Sequence, residues 1–264
     1  MLIDTHAHLR WDSYGLSLDD VIERATAAGV NKIICVSSSL KEAQGAVAIA
    51  GKYPKVVAVV GIHPQDTDAG QKETVDDQLE LLAELAKSPK VVAIGECGFD
   101  FSPVPPMEKE RSVGEQEMIF TFQLNLSRRL GKPIVIHSRN AKDKTVEYIK
   151  KFHPAGVWHC FVEDWETAEI ALAEGLYLSF NGIITYKSGG KILEVAKNTP
   201  LERILLETDA PFLTPEPLRS NPRIKINEPA HVKIVAEKIA EIKGIAFQEV
   251  AEVTSENAEK LFRL

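Results

Sequence analysis

The chain alternates two hydrophobic rhythms. Short β-branched runs at Leu2–His8, Lys32–Ser37, Val56–His63, Val91–Gly98, Pro133–His137, Gly156–Phe161, Leu176–Phe180 and Ile204–Asp209 predict strands. Between them, stretches such as "LDDVIERATAAG", "VDDQLELLAELAKS", "EQEMIFTFQLNLSRRLG" and "DWETAEIALAEG" space apolar residues three and four apart and carry Gly or Lys near their ends, which predicts amphipathic helices. Eight strands interleaved with helices imply an α/β protein with a parallel sheet, open or closed. The polar residues favour closure. His6, His8, His63, Glu96, His137, His159, Glu207 and Asp209 fall near the C-terminal ends of their strands, where a (β/α)8 TIM barrel places its active site.

No short repeat or low-complexity tract interrupts this rhythm. The Pro-rich stretches "FSPVPPMEKERSVG" and "APFLTPEPLRSNPRIKINEP" directly follow strands four and eight, as loops over a barrel mouth do. One domain over residues 1–264 is therefore expected. With 44% hydrophobic and 26% charged residues, the chain can bury a sizeable core. No run approaches the roughly 20 apolar residues of a membrane span. The first apolar run turns polar by Thr5, unlike a secretory signal, and three scattered cysteines do not make a disulfide framework. A cytoplasmic monomer with no membrane partner is the expectation. The formal net charge of -7 argues against a global positive field for nucleic acid, though not against a local cationic site or charge supplied by metals.

Residues two apart on a strand share a face, so Asp4, His6 and His8 are expected to point into the barrel together. A single buried histidine is usually packing. Adding His137, His159, Glu96 and Asp209 at equivalent strand ends favours a metal centre, because clustered imidazoles and carboxylates need a cation. Histidine and carboxylate without thiolate suit Zn²⁺, Mn²⁺ or Mg²⁺. Four histidines and two carboxylates exceed what one tetrahedral ion needs, which implies two divalent ions bridged by a carboxylate. Such a pair activates water against phosphate esters, amides or lactones. Arg139, Lys187 and Arg219 stand where they could meet phosphates, and Asn181 either contacts substrate or finishes a turn with Gly182. Cys97 and Cys160 each follow a proposed ligand, and strand alternation sends both outward as buried structural thiols. His153 is expected at the surface and His231 in packing or capping.

The ordered series "DTHAHL", "GIHP", "GECGFDF", "PIVIHSRNA", "WHCF", "SFNGIITYK", "LLETDAPFLTP", "NEPAHV" and "TSENAEKLF" resembles the TatD-family metal-dependent deoxyribonucleases of the amidohydrolase-like superfamily, along essentially the whole chain. The resemblance implies a metal-dependent hydrolase barrel. It makes His6 and His8 ligands of one ion, Glu96 the bridge, His137 and His159 ligands of the second, and Asp209 a ligand that also acts as general base. His63 would contact substrate or the scissile phosphate. Glu207, one layer deeper on the same face as Asp209, would orient a ligating histidine. The implied substrate is DNA, single-stranded or at 3′ ends, degraded 3′ to 5′. The alternative is a small-molecule ester, lactone or amide hydrolase. A glutamate at position 96, where many superfamily members carry a carboxylated lysine, disfavours urease-like or phosphotriesterase-like chemistry. The chain departs from the family pattern at Phe99 (usually leucine), Asn140 (commonly aspartate) and Arg10 (often acidic), and in a longer loop from Phe101 to Gly114.

Overall fold

The computed structural model describes residues 1–9, 17–66, 74–103, 111–224 and 226–264. Arg10 and most of the long loop after the fourth strand lie outside them. In chain order the elements are β1 (Leu2–Ala7), α1 (Leu18–Ala27), β2 (Val30–Val36), α2 (Leu40–Lys52), β3 (Val56–Val60), α3 (Val75–Leu85), β4 (Val91–Asp100) and α4 (Val113–Leu130). There follow β5 (Ile134–Arg139), α5 (Lys142–Phe152), β6 (Gly156–Trp158), α6 (Trp165–Ala173), β7 (Tyr177–Phe180), α7 (Gly190–Asn198), β8 (Ile204–Leu206), α8 (Val232–Lys243) and α9 (Phe247–Phe262). Gly114 is thus already inside α4, and the connection before it is shorter than the expected loop.

The strands are parallel and lie in sequential order from β1 to β8, an α/β TIM-like barrel. Closure runs through β1 and the chain just beyond β8. The Thr5 hydroxyl donates to the Leu206 carbonyl at 2.9 Å, and Ala7 forms a parallel bridge with Ala210. The His8 amide donates to the Ala210 carbonyl at 2.7 Å, and the Asp209 amide to the His6 carbonyl at 2.9 Å. The seam that closes the ring is built from the segments that carry His6, His8 and Asp209.

Apolar side chains divide into two layers by strand alternation. Ile3, Ile34, Val36, Val59, Ala93, Val135, Val157, Tyr177 and Leu205 draw on all eight strands and pack together with Phe262 of α9, filling the barrel. Their neighbours, among them Ile33, Cys35, Ala58, Val60, Ile136 and Leu206, pack against the helices. Two residues beyond the interior layer come the site residues: His137 after Val135, His159 after Val157, Glu207 and then Asp209 after Leu205. On β1 and β4 the register shifts between Asp4 and Ala7 and between Ile94 and Cys97. Asp4 consequently does not share the cavity face of His6 and His8, as strict alternation predicts. It lies in the seam, accepting from the Thr208 amide at 2.9 Å and the Thr208 hydroxyl at 2.6 Å. Burial pushes its carboxyl up to about 8, against these hydrogen bonds, which favour the charged form.

β3, β6 and β8 stop earlier than their hydrophobic runs suggest, because the backbone leaves the ladder and finds other partners, whereas β4 and β5 run on to Asp100 and Arg139. Beyond β3, the Ile62 amide donates to Gln123 Oε1 at 2.9 Å, and Gln123 Nε2 returns a bond to the Ile62 carbonyl at 3.0 Å. Gln116, also on α4, does the same for Asp100 at 3.0 Å in both directions. These buried amides replace missing ladder bonds and orient the backbone beside the site. Beyond β6 and β8, Cys160 and Asp209 adopt left-handed conformations at φ 47° and 54°. Such φ values in residues with a Cβ cost about 1 kcal/mol or more and gather at functional sites.

Candidate metal centre

Six side chains meet at the C-terminal mouth of the barrel. His6 Nε2 and His8 Nε2 lie 3.3 Å apart. Glu96 Oε2 is 3.5 Å from the first and 3.7 Å from the second, and Asp209 Oδ1 is 3.7 and 3.4 Å from them. The other oxygen of Glu96, Oε1, lies 2.7 Å from His137 Nδ1 and 2.8 Å from His159 Nε2. One carboxylate therefore faces two ligand sets with separate oxygens. For metal–nitrogen bonds of about 2.0–2.1 Å, tetrahedral ligands stand roughly 3.4 Å apart, the spacing of the first set. Two imidazole nitrogens at 3.3 Å, both beside carboxylates and both buried, fit a shared cation. The donor set is nitrogen and oxygen throughout, as Zn²⁺ or Mn²⁺ prefers.

A close approach holds β4 and β5 in this relation. Gly98 pairs with His137 at φ 152°, and a Cβ there would sit 1.9 Å from the His137 carbonyl oxygen. Only glycine lets the two ligand-bearing strands come this near. Behind His159, the Glu207 carboxylate stands 3.5 Å from Nδ1, an ion-pair distance. Glu207 also accepts from the Cys160 amide at 2.9 Å, the Asn181 amide at 3.0 Å and the Ser179 hydroxyl.

The charges follow from these contacts. Burial raises the Glu96 carboxyl, but the His159 charge and hydrogen bonds from His137 and His159 outweigh it and hold it well below the usual range. Burial lowers His159, yet Glu96 and Glu207 together hold it well above an ordinary histidine. Glu207 is pushed down to about 2, its burial overcome by His159. Burial and the neighbouring His137 push His63 down to about 3, so its ring is neutral near pH 7. The Gln65 amide donates to His63 Nδ1 at 3.1 Å. The neutral ring therefore carries its proton on Nε2, which lies 3.8 Å from Glu96 Oε1.

The mouth is a cavity of about 550 Å³ lined by His8, His63, Glu96, His137, His159 and Asp209, with His6 buried beneath. Arg139 is exposed at its edge. Lys187 and Arg219 are exposed and lie outside the lining, Arg219 stacked 4.2 Å over the Tyr186 ring. Asn181, of whose two readings one was a substrate contact, is buried with its amide spent on Glu207 and on the Ile183 amide. It finishes the turn. Cys160 is a correction: β6 has already ended, strand alternation no longer applies, and the left-handed residue lines the cavity. Cys97 is buried as expected, its thiol 3.8 Å from the Val135 carbonyl. His153 is exposed beside Glu174, and His231 caps a turn through Asn227 and Glu228. Asn140 has φ 52°, a conformation asparagine tolerates.

Asp100 escaped the sequence. It is buried in the lining, 3.3 Å from His137 Nε2, and the hydrogen bond from His137 pushes its carboxyl down to about 2 despite burial. Its position four residues beyond Glu96, on the same strand face, was the available signal. Phe212, Leu213, Ile183 and Val162 form an apolar side of the cavity that no charge pattern reveals.

The family model for TatD related DNases matches residues 3–263. The chain belongs to the TatD family. It is 39% identical over 268 residues to the uncharacterized metal-dependent hydrolase YabD of Bacillus subtilis, with all of both chains covered. To the 3′-5′ ssDNA/RNA exonuclease TatD of Escherichia coli K12 it is 32% identical, covering 99% of this chain and 98% of the relative. The crystal structure of YJJV, a TatD homolog from Escherichia coli, superposes with a TM-score of 0.88 at 28% identity, over 100% of this chain and 98% of that one. This TatD-family chain is accordingly a metal-dependent hydrolase, its His, Asp and Glu clusters suited to metal binding. Among the described residues no helix is long and apolar enough to cross a membrane.

Proposed function

We propose that the protein hydrolyses phosphodiester bonds of DNA, working from 3′ ends or single strands, with two divalent ions in the cavity. His6, His8, Asp209 and Glu96 would hold one ion, and Glu96, His137 and His159 the other. The observation that carries this is the division of the two Glu96 oxygens between two ligand sets. Divalent ions there would polarise a phosphoryl oxygen and ease ionisation of water, the chemistry that phosphodiester hydrolysis requires.

The side chains supply the rest. Asp209, more exposed than Glu96, accepts the proton of the attacking water. His63 donates a hydrogen bond from its Nε2–H to an oxygen of the phosphate, and Arg139 at the cavity edge meets a neighbouring phosphate. Phe212, Leu213 and Ile183 give sugar and base an apolar wall. Glu207 keeps His159 in its orientation through Nδ1. The named activity of the Escherichia coli relative supports DNA or RNA as the substrate class, and three cysteines scattered along the chain suit the reducing cytoplasm.

The same residues would serve a small-molecule ester, lactone or amide hydrolase, which the apolar wall and the net charge of -7 favour. The test strips metal with chelator and follows 5′-labelled single-stranded DNA with and without Mg²⁺ or Mn²⁺, with Glu96→Ala as control. Stepwise shortening restored by metal and absent from the variant is the expected result. No cleavage with either ion, alongside turnover of lactone or ester substrates, would replace the nuclease by the small-molecule hydrolase.

A further inference from the structure

At the opposite end of the barrel, where β5, β6 and β7 begin, a second hollow of about 590 Å³ opens. That volume lies within the range of about 300–1,000 Å³ typical of small-ligand sites. It is lined by Arg128 at the end of α4, Lys132 before β5, Arg203 before β8, and Lys260 and Arg263 at the end of α9. Five cations from four segments converge in a chain whose net charge is -7. Among the described residues none of the five lies within ion-pair distance of a carboxylate, whereas Arg24, Lys52, Lys142 and Lys144 elsewhere all do. His153 is also present, but Glu174 pairs with it.

Helix C-termini gather at this end of any such barrel, and cations there offset the carbonyl ends of the helices. Two of the five are held by single carbonyls or carbonyl pairs. Lys132 Nζ donates to the Ala86 and Ser88 carbonyls at 2.5 and 3.2 Å, and Arg203 donates to the Gly175 carbonyl at 3.0 Å while lying 5.2 Å over the Tyr177 ring. These bonds hold the two cations within the lining, while Arg128, which donates to Asn125 Oδ1 at 3.2 Å, Lys260 and Arg263 are exposed. Phe152, Pro154 and Leu261 complete the lining with an apolar side. Cations on one side and apolar surface on the other suit a ligand with a phosphate at one end and a flat ring at the other.

We infer that this hollow is a binding site for a nucleoside phosphate, separate from the metal centre. It does not depend on the nuclease assignment, since none of its residues belongs to the catalytic mouth. The test is calorimetric titration of the full chain with AMP, adenosine and inorganic phosphate in chelator, so that metal cannot recruit phosphate to the mouth. Expected is one AMP per chain, bound more tightly than phosphate or adenosine and bound equally by Glu96→Ala. The paired charge reversal Arg128→Glu and Arg263→Glu should weaken it at least tenfold. Lys260→Glu, at an exposed helical position, provides an independent reversal should the double variant fail to fold. Absence of AMP binding, or equal binding by the folded reversal variants, would overturn the site and leave the cations as offsets to helix ends. AMP binding no tighter than phosphate would overturn its assignment to a nucleoside phosphate.

Discussion

Glu96 carries more of the site than any other side chain, because each of its oxygens belongs to a different group of histidines. Asp209 stands apart from it in two ways: a left-handed backbone turns its carboxylate over His6 and His8, and its side chain is the more open of the two, at 15% against 6% exposure. That exposure fits a group that must meet water. In the proposed mechanism, Asp209→Asn preserves an oxygen for the metal and removes the base. Its turnover should fall about 10²–10⁴-fold with little change in KM, as steady-state kinetics on a defined substrate would register. An unchanged kcat would take Asp209 out of the proton transfer. His63 shows why geometry adds to sequence here. The motif marks it, but only the Gln65 amide on Nδ1 tells which nitrogen holds the proton.

At the scale of elements, the alternation of strands and helices was legible because each strand carries β-branched residues and each helix an apolar stripe. The helix starts are fixed by side-chain caps that the apolar spacing does not show: Ser17, Ser39, Thr74, Ser112 and Asp164 all cap. Asp164 accepts from the Thr167 amide at 3.0 Å and hydroxyl at 2.6 Å, with Lys142 beside it at 3.1 Å. These bonds, the hydroxyl first, push its carboxyl down to about 2. A depressed folded pKa stabilises above the unfolded value of about 4 and loses that stabilisation as pH falls through about 2. Asp164→Ala should therefore cost roughly 0.5–1 kcal/mol at neutral pH, at the lower end for a cap because solvent reaches the pair. Denaturant unfolding should show the gap closing toward pH 2; a gap constant across that range would contradict the capping account. Strand ends were less legible. β3 leaves the ladder where Gln123, remote in sequence, supplies substitute bonds, and no hydrophobic period announces that exchange. Strand alternation misplaced Asp4, where β1 shifts register, and Cys160, where β6 has ended, yet placed His137, His159 and Glu207 correctly.

For the molecule as a whole, closure of the barrel brings the proposed ligands from five strand regions, β1, β4, β5, β6 and β8, to one point, so metal binding reports on the entire ring. The surroundings of the second pair of histidines favour their protonated forms. Burial lowers His137, but hydrogen bonds to Asp100 and Glu96 outweigh it and leave it raised, as His159 is. A raised histidine keeps its proton to higher pH and must lose it to coordinate. Mn²⁺ affinity should thus keep climbing as pH rises above the ordinary histidine range of about 6.5, with proton release visible as a dependence of binding heat on buffer; a pH-independent affinity would contradict this. A pair of ions sharing Glu96 is read out by elemental analysis of Mn²⁺ retained after dialysis. Two ions per chain in the native protein and at most one in Glu96→Ala is the predicted result. A single ion held equally by both would contradict it.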